Sequence, residues 1–471
     1  MLEIRLIDHD NYYAVTDCVR LFYDHPVEDK ENGRVYSEFA PDIVLRSVAE
    51  KDGSSSCIFP DGRAVRFEGE ALEAKRDVRR SVYMALCEIS GRTAPWGCLT
   101  GIRPTLVAGE EETPEELSRK YLVRPDKAEL AFETYANEAR ILEAVPQDDM
   151  NIYIGVPFCP TRCEYCSFIS EDISHHMTKL GLYKDALIDE IKMIAPHIRR
   201  HIRTVYMGGG TPTVFDDGDF EEVIDAVFAF LKPDKETEVT IEAGRADTIS
   251  EKKLRVMRDA GISRICINPQ TLKDETLKKL GRRHSVEDVL RTYKLASDMG
   301  FDVINMDLIA GLKYENAGDF VDSVKGIIDL APANITVHTL YKKRRARMSY
   351  DDVLDRDSLR GSVDDAVSEG YRLIKEAGYI PYYMYRQKDT GHGLENTGFA
   401  KPGSECLYNV AMMTDARDVL SFGAGSVSKR VWEQVGTAKY RVERCSSIKD
   451  ALGYIRSVDE TAQKKIDFFE L

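Results

Sequence analysis

No stretch of this chain approaches the roughly 18 uninterrupted apolar residues that a membrane helix needs. The opening Met1-Leu-Glu-Ile-Arg-Leu-Ile-Asp8 likewise lacks the long apolar region of a secretion signal. The expected location is the cytoplasm, with no membrane partner. An excess of positive charge is missing as well: 65 Lys and Arg stand against 80 Asp and Glu, a formal charge of -15. Nucleic-acid affinity comes largely from cations that neutralise phosphates, so a nucleic-acid partner is excluded and any anionic ligand must meet a local basic cluster. Hydrophobic residues fill 43% of the 471 positions, which rules out disordered and fibrous classes and suggests about three domains.

A dinucleotide fingerprint is also absent. Gly423-Ala-Gly425-Ser-Val-Ser428 lacks the third glycine and a clear strand-helix-strand setting, which excludes a nicotinamide site and leaves only a close backbone approach there. Cysteine, by contrast, is plentiful: Cys18, Cys57, Cys87, Cys98, Cys159, Cys163, Cys166, Cys266, Cys406 and Cys445. In a reducing compartment such thiols serve as core, metal or catalytic groups rather than disulfides. Three of them stand within eight residues.

Residues 1–145 mix strand-like and charged helical runs and read as an α+β domain without a chemical motif. From Asn151 short apolar runs alternate with amphipathic stretches, the pattern of repeated βα units and a parallel sheet. The spacing predicts strands at Ile152–Val156, Thr204–Met207, Glu238–Ile241, Ile262–Ile267, Asp302–Met306 and Ile335–Val337. Helices are expected near 179–194, 218–231, 250–259, 285–299 and 316–329. This suits a partial (β/α)6 TIM-like barrel over 146–345 better than an open doubly wound sheet. Residues 346–471 form an irregular, mostly helical extension, with a helix near 361–377, that covers the substrate.

Directly after the first barrel strand comes Cys159-Pro-Thr-Arg-Cys163-Glu-Tyr-Cys166. A structural zinc wants four ligands, and the nearest fourth candidates are His175 and His176. Thiolates favour iron–sulfur clusters, and a [4Fe–4S] cube with three protein ligands keeps one iron open for an external chelator. Tyr206-Met-Gly208-Gly209-Gly210-Thr211-Pro212 closes the second strand, where backbone without side chains admits a ligand. Glu242, Gln270, Asp307 and His338 fall at the ends of strands three to six, on the rim where barrel sites collect. Each taken singly serves equally well as a capping residue. Lys342–Arg347 places five cations in six residues, either a solvated loop or a receiver for a multiply carboxylated substrate, with Arg282-Arg283-His284 on the same face. Tyr379, Tyr382, Tyr383 and Tyr385 are read as core packing more readily than as a platform for a flat macrocycle.

The cysteine spacing is that of the radical S-adenosylmethionine (SAM) family. The chain resembles the oxygen-independent coproporphyrinogen III dehydrogenases within it, closest to a dehydrogenase-like branch with a long N-terminal extension. Its carriers are Gly155-Val-Pro-Phe-Cys159, Cys163, Tyr165-Cys166, Gly208–Pro212, Gln270, Leu280-Gly-Arg282, Asp307-Leu-Ile-Ala-Gly311 and Asn396–Gly403, with Trp96–Pro104 typical of the extended branch. The resemblance implies a radical SAM barrel with cluster ligands Cys159, Cys163 and Cys166. It implies one or two SAM molecules contacted by Tyr153, Tyr165, Gly209, Gly210, Thr211, Glu242, Gln270, Arg282 and Asp307, with Tyr153 the catalytic candidate.

The activity so implied is that of an oxidoreductase of haem biosynthesis. A low-potential donor such as flavodoxin or ferredoxin reduces the cluster, and a 5′-deoxyadenosyl radical initiates decarboxylation of two propionates of coproporphyrinogen III, giving protoporphyrinogen IX. Two positions depart from the housekeeping enzymes: Phe168 replaces a fourth Cys, and Gly155 replaces a His. A haem chaperone branch uses a His-Asn pair where this chain has Ser404-Glu-Cys406-Leu-Tyr-Asn409, so Cys406 becomes the candidate haem ligand of an alternative carrier function. A radical enzyme that modifies haem itself is the remaining alternative.

Overall fold

The computed structural model describes residues 1–69, 74–166, 170–173, 177–340, 356–387, 393–433 and 440–471. The chain divides into two compact units, Met1–Tyr135 with Tyr385–Glu395, and Ala136–Met384 with Asn396–Leu471.

The first unit opens with β1 (Leu2–Ile7), α1 (Tyr12–Arg20), β2 (Val27–Asp29), β3 (Arg34–Ser37), β4 (Ile43–Ala49), β5 (Ser55–Ile58) and β6 (Ala64–Phe67). The strands form a sheet in the order β2-β3-β1-β4-β5-β6. Val15 and Val19 of α1 and Val78, Val82 and Leu86 of α2 (Ala74–Ser90) share one apolar core with Leu2, Ile4 and Leu45 of the sheet. Then come α3 (Pro104–Ala108), α4 (Pro114–Tyr121), which Thr113 caps through its side chain, and α5 (Pro125–Glu143), of which the residues up to Tyr135 belong to this unit. The Trp96 indole and the Lys127 ammonium both donate to buried Glu395, at 2.7 and 2.6 Å.

The second unit is built on parallel strands. In chain order these are β7 (Met150–Val156), the short pair β8 (Phe158–Cys159) and β9 (Glu171–Asp172), α6 (Met177–Ile194), β10 (Ile202–Gly209), α7 (Asp217–Ala226), β11 (Glu238–Glu242) and α8 (Glu251–Asp259). They continue with β12 (Arg264–Cys266), α9 (Asp274–Lys279), α10 (Val286–Asp298), β13 (Val303–Ala310), α11 (Ala317–Leu330) and β14 (Asn334–Thr339). Side-chain caps start the crossover helices: Asp216, Ser250, and full capping boxes at Ser285/Asp288 and Asn316/Asp319. Strands β7, β10, β11, β12, β13 and β14 run parallel in that spatial order, the partial (β/α)6 barrel that the spacing predicts.

The remaining elements are α12 (Arg356–Glu376), β15 (Ile380–Arg386), β16 (Glu395–Ala400), α13 (Leu407–Thr414), β17 (Val419–Phe422), β18 (Val427–Glu433), β19 (Tyr440–Ser446), α14 (Ala451–Arg456) and α15 (Val458–Phe469). Several of them join the barrel sheet, which the sequence pattern did not suggest. Strand β16 adds antiparallel to β14, and β17 adds parallel to β7 on its free side. Neither carries an alternating pattern: both are buried along their whole length. Helix α13 follows Cys406, whose thiol meets Glu238 at the first residue of β11, and its Tyr408 stacks on Tyr206 at 4.5 Å. The inside of the barrel is thereby packed.

A buried carboxylate of α6 ties the C-terminal helices to the end of β17. Glu190 of α6 accepts from Lys465 Nζ at 2.6 Å, from Tyr454 OH at 2.6 Å and from the N–H of Gly423 at 2.8 Å. Gly423 follows β17 at φ +91°, and a Cβ there would lie 2.3 Å from the carbonyl oxygen of Gly155. The glycine-rich segment is thus a close contact between strand ends, and its setting is the strand β17 that was missed.

Candidate functional site

The C-terminal ends of the parallel strands bring three sequence segments together. The first is the cysteine loop. Cys159 lies in β8, which pairs with β9, and the turn before it is fixed by Gly210 N–H to Val156 O and Thr211 N–H to Phe158 O. Glu164 N–H reaches Leu280 O and Thr161 Oγ1 reaches Gly281 O, so the loop leans on the segment after α9. Thr211 Oγ1 donates toward Cys159 Sγ at 3.5 Å. Burial, with Cys163 and Cys166 nearby, pushes the Cys159 thiol up to about 11.

The second segment is the glycine turn. Its glycines are required by the chain itself, because a Cβ on Gly208 would lie 2.7 Å from the Glu242 carboxylate and one on Gly210 would lie 2.4 Å from Phe158 O. Gly209 sits at φ +109° and donates its N–H to Glu242 Oε2 at 3.2 Å. Tyr206 OH donates to the other oxygen of Glu242 at 2.6 Å. Burial raises Glu242 to about 7. Tyr153 stacks beside Tyr206 and Tyr408, with ring centroids 6.4 and 6.0 Å away, and lines a cavity of about 150 Å³ with Gly155, Gly209 and Gly425.

The third segment spans the last strands. Asp307 does not end its strand as expected: β13 continues to Ala310, and Asp307 lies inside it, bonded to Asn305 Nδ2 and 3.6 Å from His338 Nε2. Burial opposes its ionisation, but His338 and Asn305 outweigh burial and hold it below the usual carboxylate range. Gln270 takes φ +69° so that its N–H reaches Asp307 O and its carbonyl receives Ile309 N–H. Its side-chain Oε1 is buried without a hydrogen-bond partner, as is Asn268 Oδ1.

Arg282 and His284 are not part of a basic mouth. Arg282 is buried, donating to Tyr165 OH, Gly244 O, Asn268 O and His284 Nε2, because the turn after α9 folds beneath the cysteine loop. Of the three residues, Arg283 alone is exposed, on an open groove of about 710 Å³ beside Thr161 and Arg162. The sequence reading missed Arg245 and Asp247. Arg245 forms a two-point pair with Asp247 at 2.9 and 2.8 Å, donates to Thr161 Oγ1 at 2.8 Å and approaches Cys163 Sγ at 3.9 Å. Their position just past the end of β11 was the available signal.

Tyr379, Tyr382 and Tyr383 are buried, with Tyr379 OH on Pro332 O and Asn409 on Tyr382 OH, as core packing requires. Cys406 lies at the opposite end of the barrel from the cysteine loop, buried against Glu238. Phe168, His175, His176 and Lys342–Arg347 lie outside the described residues.

Among the described residues no three His, Cys, Asp or Glu side chains converge on a point for one metal ion. Three thiols spread along one loop suit a multi-iron cube instead, because each serves a different iron. The orphaned acceptors of Gln270 and Asn268 call for donors from a bound group. A [4Fe–4S] cluster with a chelating amino acid ligand therefore fits the residues present.

Residues 153–327 match the Radical SAM superfamily, which defines the class of protein: a parallel partial barrel whose cofactors are a [4Fe–4S] cluster and S-adenosylmethionine. Over 421 residues the chain is 35% identical to the "Oxygen-independent coproporphyrinogen-III oxidase-like protein HemZ" of Bacillus subtilis (strain 168), covering 86% of this chain and 83% of that one. It belongs to that radical SAM family of oxygen-independent coproporphyrinogen-III oxidase-like proteins. The "Heme chaperone HemW" of Escherichia coli (strain K12) is 28% identical over 287 residues, 59% of this chain and 70% of that one. The solved structure of coproporphyrinogen III oxidase (HemN) from Escherichia coli has the same fold, with a TM-score of 0.54 at 20% identity over 69% of this chain and 72% of that one. No helix among the described residues is long and apolar enough to cross a membrane.

Proposed function

We propose that this chain is an oxidoreductase of haem biosynthesis that converts two propionates of coproporphyrinogen III to vinyl groups without oxygen, giving protoporphyrinogen IX. The reading is carried by one observation: three thiols, the glycine turn, Glu242 and the unsatisfied amide oxygens of Gln270 and Asn268 share a single rim. A relative 35% identical over 86% of the chain is named as an oxygen-independent coproporphyrinogen-III oxidase-like protein.

In this reading Cys159, Cys163 and Cys166 hold the cluster, and one or two SAM molecules bind beside it. That pair would supply the radical that takes one hydrogen atom from each reacting propionate; CO2 then leaves, and the one electron left over passes to a one-electron acceptor that turnover requires. Gly209, Gly210 and Thr211 offer backbone to the methionine end of SAM, and Glu242 accepts from its amino group. Gln270 and Asn268 accept further donors, Asp307 serves a hydroxyl, and Arg282 steadies Tyr165 against the cofactor. Tyr153 borders the reacting centre. The packed barrel keeps water out and so suppresses side reactions. In this reading a low-potential flavodoxin or ferredoxin delivers electrons.

The test is anaerobic incubation with reductant, SAM and coproporphyrinogen III, followed by mass spectrometry of the tetrapyrrole. Loss of two CO2 per molecule is expected. Cleavage of SAM with no porphyrinogen product sinks the dehydrogenase reading while keeping the radical enzyme, and in a parallel incubation with haem in place of coproporphyrinogen III a changed haem mass points to haem modification. The chaperone reading draws on relatives named heme chaperones, but Cys406 is buried against Glu238 and offers haem no open ligand. A stoichiometric Soret shift on haem titration supports that second reading.

A further inference from the structure

The cysteine loop rests on a buried set of charged side chains that no motif accounts for. Arg245 is 4% exposed, Arg282 6% and His284 4%. Arg245 spends Nε and Nη2 on the two oxygens of Asp247 and turns Nη1 to Thr161 and to the sulfur of Cys163. Asp247 in turn meets His284 Nδ1 at 3.2 Å, and His284 Nε2 receives Arg282 Nε at 3.2 Å. Burial alone would raise Asp247, but its bonds to His284 and Arg245 hold it far below the carboxylate range. Burial lowers His284, which favours its neutral form. The set therefore holds two guanidiniums against one carboxylate, a surplus positive charge in a water-poor site under the thiols.

Hydrogen bonds to cluster sulfurs, nearby charge and solvent exposure set the reduction potential of an iron–sulfur cluster. A fixed cation next to a ligand sulfur favours the state with one more electron, and low dielectric strengthens that preference. We infer that Arg245 is a tuning residue that raises the reduction potential of the cluster on the cysteine loop, with Asp247 restraining it. The inference rests on the assignment of Cys159, Cys163 and Cys166 as ligands. It adds a function for two residues outside that ligand set: Arg245 makes the first electron easier to accept, and Asp247 fixes how much.

The experiment is a redox titration of the anaerobically reconstituted full chain, following the paramagnetic signal of the one-electron-reduced cluster, with iron content measured on every sample. Arg245→Gln is expected to shift the reduction equilibrium at least tenfold toward the oxidised state, about 59 mV for a one-electron couple. Arg245→Lys, which keeps the charge, shifts it less. Asp247→Asn shifts it the other way, because it removes the restraining anion. A purely structural role moves the glutamine and asparagine variants in the same direction, and that result overturns the inference. So do wild-type potentials in both at full iron content. If Arg245→Gln fails to hold iron, the opposite signs expected of Arg245→Lys and Asp247→Asn decide the matter. Wild-type chain that takes up no iron refutes the ligand assignment instead.

Discussion

The phenol of Tyr206 and the carboxylate of Glu242 meet at 2.6 Å inside the barrel, while the other carboxylate oxygen takes the N–H of Gly209. One side chain thereby joins the ends of two neighbouring strands, β10 and β11, and closes the space over Gly208. Its burial makes this joint sensitive to pH.

Glu242 holds its proton more tightly in the folded chain, at about 7 against an ordinary 4.5. The stability this lends is fully present below 4.5 and is lost as pH rises through 7. Integrated, the change is on the order of 3 kcal/mol. Urea denaturation from pH 4.5 to 8 is expected to show wild type losing that much relative to Glu242→Gln. Parallel curves for the two proteins would refute the assignment.

Cys163→Ala is expected to abolish iron binding and the brown colour of the reconstituted protein. Metal analysis and visible absorbance check it. Unchanged iron content in that variant refutes Cys163 as a ligand.

Gln270→Ala separates binding from folding. It removes an amide oxygen that is buried and unsatisfied in the free chain. Stability is therefore expected to hold or rise by up to ~1 kcal/mol. SAM affinity is expected to fall about tenfold, ~1.4 kcal/mol, by calorimetry. A loss of stability with unchanged affinity makes Gln270 a turn residue only.

The Glu190–Lys465 pair provides a stability test at side chains outside the proposed cofactor contacts. Lys465→Met leaves Glu190 charged and buried without its ammonium, at an expected cost of about 3–5 kcal/mol in chemical denaturation. Adding Glu190→Gln recovers part of it. If the single variant is as stable as wild type, the pair does not anchor α15.

Local pattern carried much of the architecture. The run around Ile152–Val156 is apolar at nearly every position, which suits a parallel strand covered on both faces, and it lies within β7. The helices expected from 285 and 316 begin at Val286 and Ala317, where Ser285 and Asn316 cap them. Where pairing is long-range, the pattern was silent. Val419–Phe422 is four residues long and fully buried, so nothing in it betrays a strand beside β7. Arg245 and Asp247 look like ordinary surface charges after a strand end; only the fold turns them inward to meet Thr161 and His284. The rim residues Glu242 and Gln270 were legible because strand ends could be counted. The stack of Tyr408 on Tyr206 was not, because α13 reaches it from a distant segment.

Strand β17 bears on the order in which the molecule is made. The strand that leads into the cysteine loop has β10 on one side and β17 on the other, and Asn151 bonds to Asp418 across 267 residues of chain. During synthesis β7 emerges early, yet one of its edges stays bare until nearly the whole polypeptide has left the ribosome. Contacts of such separation close slowly, and a bare edge invites pairing with the wrong partner. The strand that leads into the cysteine loop therefore gains its second neighbour only when this late segment docks.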